Sequence, residues 1–109
     1  MATVRRTRKA YDSLKEVYDF LADEKQNPDA ADRLVEDIHR KCEMYADNPE
    51  LGDRRHDLNS RLRCFPIGNY VVFYSPIKEG IELIFITHGA RDIPAFAREL
   101  FRDSPEETT

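Results

Sequence analysis

The sequence has no tryptophan and only four glycines and two cysteines in 109 residues. Four scattered glycines leave no phosphate-cradling loop, and no nucleophile motif accompanies them. Cys42 and Cys64 match no metal-ligand spacing. In a reducing compartment they stay free thiols and serve as small apolar residues. Long apolar runs are also missing. Val71-Val72-Phe73-Tyr74 is among the longest, far short of a membrane span. The opening Met1-Ala2-Thr3-Val4-Arg5-Arg6 lacks the apolar core of a signal peptide. A soluble, cytoplasmic protein is expected, with no membrane partner. A basic excess is absent too: the net charge is -4. Non-specific nucleic-acid binders are usually basic overall, so direct sequence-specific DNA binding is not expected.

What is present suits one domain of ordinary size. Hydrophobic residues make up 40%, enough for a modest core, while 35% charged residues supply an ionic surface. Charge is segregated along the chain. Residues 1–10 carry four basic groups and no acid, and residues 11–50 carry five basic and twelve acidic groups. Residues 51–63 return to a net +2. The two basic segments suit acidic contacts on a partner.

Periodicity sets the elements. Thr3 to Thr7 reads as a short strand. Tyr11, Leu14, Val17, Tyr18, Leu21 and Ala22 form one helical stripe ending near Lys25. Asn27-Pro28 restarts a second helix, with Asn27 as cap and Pro28 in the first turn. Its stripe is Ala31, Leu34, Val35, Ile38, Cys42, Tyr45 and Ala46, ended by Asn48-Pro49. The short link predicts an antiparallel helical hairpin. Leu51 to Ser60 reads as a mobile polar loop. Arg61–Phe65, Tyr70–Tyr74 and Ile81–Thr87 read as three strands joined by short turns. Ile81, Leu83 and Phe85 alternate as if on one buried face. Ile93, Phe96, Ala97, Leu100 and Phe101 recur at helical spacing. The order is β-α-α-β-β-β-α, an α+β fold with the hairpin on a small antiparallel sheet. Residues 1–102 form the domain and 103–109 a polar tail.

Ordered pieces of this sequence resemble the ParE/RelE toxins of type II toxin–antitoxin systems. They are Asn27-Pro28-Asp29-Ala30-Ala31, Asn48-Pro49-Glu50-Leu51-Gly52, the run from Leu62 to Tyr74, and Thr87-His88-Gly89-Ala90-Arg91-Asp92. The last piece is similar to the ParE branch in particular. The resemblance implies a toxin held inactive by a co-produced antitoxin, here a ParD-like one in a hetero-oligomer. ParE-type members poison DNA gyrase, whereas RelE-type members cut messenger RNA on the ribosome.

Residues must decide between the branches. A ribonuclease needs cations for the phosphorane and acid–base groups. RelE-type enzymes typically carry a basic residue after the tyrosine of the middle meander strand, and here Val71 follows Tyr70. The C-terminal stretch Pro94-Ala95-Phe96-Ala97 cannot exchange protons. A contact inhibitor of gyrase is therefore favoured, with the endoribonuclease as alternative. Arg61, Arg63, Arg91 and Arg98, with Phe96, are the expected target contacts, and no catalytic residue is assigned. The bland readings are solvent-facing positions for Arg61 and Arg63 and a helix-capping pair for Arg91 and Asp92. Tyr11, Tyr18, Leu21, Leu34, Ile38 and Tyr45 are the expected antitoxin contacts on the hairpin. His39 and His56 read as isolated surface residues, and His88 as a structural hydrogen-bonder. Asp53, His56 and Asp57 are too confined to one loop for a metal site. No cofactor or metal is expected.

Overall fold

The computed structural model describes residues 2–89, 93–95 and 98. β1 (Thr3–Arg6) leads into α1 (Arg8–Asp19), which continues as a π-helical turn, Phe20–Glu24. α2 (Pro28–Asp47) follows and ends in a 3-10 turn, Pro49–Leu51. The strands are β2 (Asp53–Arg54), β3 (Arg63–Ile67), β4 (Tyr70–Ile77) and β5 (Gly80–His88). Ile93, Pro94, Ala95 and Arg98 are helical, as the C-terminal periodicity requires. Arg91, Phe96 and Phe101 lie outside the described residues.

Local chemistry starts both helices. Thr7 caps α1: its Oγ1 accepts from Ala10 N at 3.0 Å. The same hydroxyl donates to the carbonyls of Leu83 and Ile84 at 3.1 and 3.0 Å, tying the β1–α1 corner to β5. Asn27 caps α2 through Oδ1, which accepts from Ala30 N at 3.1 Å. Such caps contribute about 1 kcal/mol each. Between the helices Gln26 takes φ 52°, a left-handed residue that reverses the chain.

The five strands order as β1-β5-β4-β3-β2. The expectation of an antiparallel sheet needs correction, because β1 runs parallel to β5, Thr3 opposite Gly80 through Arg6 opposite Leu83. The hairpin is the crossover that makes this possible: it carries the chain over the sheet and frees β1 to cover the edge of β5. β3, β4 and β5 form the expected meander. Pro66 lies inside β3 rather than in the turn, exposed and opposite Val71. β2 pairs only with Arg63 and Cys64, so Pro66 meets no strand on its outer side and no donor is missed there.

A bulge sorts the two faces of the sheet. Phe73 pairs with Phe85 but Tyr74 pairs with Leu83, leaving Ile84 unmatched. Ile81 and Leu83 therefore face the helices while Phe85 faces the other way, which corrects the single-face reading. On the helix side Ala10, Ile38, Cys42 and Ala46 pack on Phe65, Val72, Tyr74, Ile81 and Leu83. On the far side Leu62, Cys64, Phe73 and Phe85 form a second cluster joined by Leu58, Ile84 and Ile93. The Phe73 and Phe85 rings stack there at 4.4 Å.

Candidate partner-binding surfaces

The basic edge of the sheet is built on a buried tyrosine. Tyr74 Oη donates to the Pro49 carbonyl at 2.6 Å and accepts from Gly52 N at 3.0 Å. Burial pushes its hydroxyl pKa up, so it remains a neutral donor. Gly52 has to be glycine here, since a Cβ would come within 2.7 Å of Tyr74 Cε1 and 2.9 Å of the Cys64 carbonyl. Arg63 Nη1 donates to the carbonyls of Glu50 and Gly52 at 2.9 and 2.8 Å. Arg63, expected as a target contact, is thus half-buried and committed to the main chain as a staple.

The loop expected to be mobile is internally bonded. Arg55 N donates to the Leu62 carbonyl at 2.9 Å, and Leu58 N to the Arg55 carbonyl at 3.0 Å. Asn59 Oδ1 accepts from Arg61 N at 3.0 Å. The Arg55 guanidinium grips Asp57 with two bonds of 3.1 Å and lies 5.9 Å from the Phe73 ring centroid. That bidentate pair holds the Asp57 carboxyl below its ordinary pKa. The stapled loop presents Arg54 and Arg61, both exposed. Arg54 stands opposite Arg63 across β2–β3. Among the described residues neither Arg54 nor Arg61 has a carboxylate at ion-pair distance. Arg98 is exposed as well.

The six hairpin residues expected to meet an antitoxin are not one surface. Ile38 is fully buried in the chain's own core, a correction that follows from its position between the helices and the sheet. Leu34 and Tyr45 pack against the same core, and the Tyr45 ring stacks on Phe65 at 4.4 Å. The sheet covers more of the hairpin than its short strands suggest. Tyr18 is half-buried and donates from its hydroxyl to Asp32 Oδ1 at 2.8 Å, and Leu21 is half-buried. Tyr11 alone of the six is widely exposed, at 59%.

An open groove of about 340 Å³ lies instead on the other flank of α1. Glu16, Val17 and Phe20 form one wall; Tyr70, Ile86 and His88 form the other. Ser13 closes its floor: the buried hydroxyl accepts from Ile86 N at 3.0 Å, locking α1 to β5. The Tyr70 and His88 rings meet edge-on at 5.4 Å. None of the six expected contacts lines this groove. The signal that was missed is Phe20, an aromatic residue off the apolar stripe of its helix and set among acids. His39 is likewise not isolated, for Nδ1 takes a hydrogen bond from Arg6 Nη2 at 2.8 Å.

Among the described residues no group of three His, Cys, Asp or Glu side chains could hold a metal ion. No described helix is long and apolar enough to cross a membrane.

The fold is that of a solved chain from the chromosomal ParDE toxin–antitoxin system of P. aeruginosa, with a TM-score of 0.66. The two share 20% identity, over 81% of this chain and 96% of that one. No curated relative matches. The sequence profile of the ParE toxin of the type II toxin–antitoxin system parDE matches residues 4–93, from β1 through the sheet to the start of the C-terminal helical residues. The chain therefore belongs to the ParE toxin family of type II toxin–antitoxin systems.

Proposed function

We propose that this protein poisons DNA gyrase by contact and is neutralised by a ParD-like antitoxin with which it forms a hetero-oligomer. Family membership supports the toxin class. The observation that carries the target reading is the pair Arg54 and Arg61, exposed without a counter-acid among the described residues on a loop tied by its own hydrogen bonds. Preorganised cations of this kind suit docking on an acidic partner surface. Arg98 belongs to the same proposed contact set, with Arg91 and Phe96 from the C-terminal segment. Arg63 acts in it by anchoring the loop. On the antitoxin side, the exposed Tyr11 ring and the half-buried Tyr18 and Leu21 are the hairpin positions open to a docking segment.

The endoribonuclease reading gains one observation, namely that Glu16, Tyr70 and His88 line a common groove. These are groups able to exchange protons. Purified gyrase is assayed for supercoiling with increasing toxin, beside ribosome-bound messenger RNA. The gyrase reading expects inhibited supercoiling and intact messenger. Full supercoiling with codon-phased cuts in the messenger would replace it by the ribonuclease.

A further inference from the structure

We propose that the pocket between Arg61 and Glu82, on the face of the sheet away from the helices, takes a lysine or arginine side chain of the toxin's target. An acid beside that side chain pairs with Arg61. That the target is gyrase rests on the reading above; the chemistry rests on the pocket.

Ile81 and Leu83 pack under the helices, so Glu82 between them belongs to the far face. With Arg61, Leu62, Ile77 and Ile84 it lines a pocket of about 140 Å³. Sites for whole small molecules run to about 300–1,000 Å³, so this one suits a single side chain. Its two charges are opposite and unspent. Arg61 and Glu82 form no ion pair with each other, and neither has another among the described residues. Arg5 stands opposite Glu82 on β1, yet its guanidinium pairs with Glu79 at 3.8 Å. Arg61 N donates to Asn59 Oδ1 at 3.0 Å, which ties its main chain into the loop. Glu82 is half-buried, and charges in such places are screened less than those on open surface. Leu62, Ile77 and Ile84 supply apolar wall. A lysine or arginine matches both features, since its methylene stem covers apolar surface while its head meets a carboxylate.

The surroundings favour the target over other occupants. The pocket adjoins the loop that presents Arg54 and Arg61, whereas the helical hairpin covers the opposite face of the sheet. A uniformly acidic surface or a nucleic-acid backbone would satisfy Arg61 but be repelled by Glu82. A partner that presents both signs side by side satisfies the two together. Glu82 thereby restricts which acidic surfaces the exposed arginines accept.

The test titrates full-length toxin into purified gyrase by calorimetry. Glu82→Gln keeps the shape of the side chain and removes its charge, so the melting temperature should stay near that of the unaltered toxin. Its affinity for gyrase is expected to fall by at least about tenfold. Arg61→Ala should weaken binding as well, and the double variant should lose less than the product of the two single losses, because both act on one inserted unit. Should Glu82→Gln fail to fold, Ile77→Lys, which offers Glu82 a cation of the chain's own, is expected to weaken binding in the same way and decides alone. Tighter binding by Glu82→Gln would overturn the proposal in favour of a plain acidic surface or a nucleic-acid backbone. Affinity within about twofold of the unaltered toxin would overturn it too. If that variant instead lost antitoxin binding or split a toxin dimer, the pocket would pass to the antitoxin or to a second copy. Each of these results leaves the gyrase reading standing. No binding of gyrase by the unaltered toxin would remove that reading, and this proposal with it.

Discussion

The two faces of the sheet are covered in different ways. The helix face is sealed by side-chain packing: Ile38, Cys42, Phe65, Val72, Tyr74 and Leu83 are each at most 1% exposed beneath two helices. The far face buries Phe73 and Phe85 as completely, and its described cover is the stretch of residues 55–62 and Ile93. That stretch stays in place through main-chain hydrogen bonds, the Arg55–Asp57 pair and the Tyr74–Gly52–Arg63 staple. Packing holds the helix face, and polar staples, one of them anchored on Tyr74 of that face, hold the surface beside the other. Changes to the staples should thus alter activity more than stability, and changes to the helix face the reverse.

The largest expected effect tests the first half of this contrast. Phe65→Ala, which leaves a void under stacked Tyr45, should lower unfolding stability by about 3–5 kcal/mol in urea titrations. A loss below about 1 kcal/mol would contradict the packing described for this face.

The staple comes next. Gly52→Ala forces a Cβ against the Tyr74 ring and should destabilise by about 1–3 kcal/mol. Tyr74→Phe leaves the Gly52 amide and the Pro49 carbonyl without their partner and should cost a similar ~1–3 kcal/mol. In both variants hydrogen exchange of the Arg55 and Leu62 amides should rise more than that of α2. Uniform acceleration would mean that the loop is not a separately held unit.

A pH series probes the helix face more gently. Burial pushes the Cys42 thiol up to about 11, from an ordinary 9.0, and raises the Tyr74 hydroxyl as well. Both groups are neutral when protonated, and the fold favours that form. Their contribution is complete below the unfolded-state pKa and is lost as pH climbs through the folded one. The urea midpoint should fall between about pH 9 and 11, and less so in Cys42→Ala. A midpoint that rises over that window would contradict the assignment.

The smallest stability effect belongs to the exposed cation. Arg61→Ala should change unfolding stability by no more than about 0.5 kcal/mol while weakening the gyrase inhibition proposed above. Unchanged supercoiling inhibition would take Arg61 out of the target surface.

Much of this was legible in the residues. The amphipathic stripes, Asn27-Pro28 and Asn48-Pro49 mark the hairpin. The β-branched and aromatic runs mark the meander, and the ordered pieces point to the toxin family. The site was less legible. Arg61 and Arg63 both adjoin Leu62 in sequence, yet Arg61 is exposed and Arg63 is spent on two carbonyls. Period-two alternation predicted a common face for Leu83 and Phe85, and the bulge at Ile84 separated them. A pattern read one strand at a time cannot register a mismatch with the partner strand.

Taken alone, the sequence determined the two helices with their caps and the order of the three meander strands, because caps, prolines and apolar periodicity act within a few residues, whereas the strand ends moved once the strands paired. Which apolar residues remained open was decided only when the chain folded. Ile38 and Phe20 are both apolar residues of the hairpin; the sheet closes over the first and stops short of the second. The parallel pairing of β1 with β5, the bulge and the Tyr74 staple are likewise contacts between segments remote in the chain, so no local rule could have supplied them.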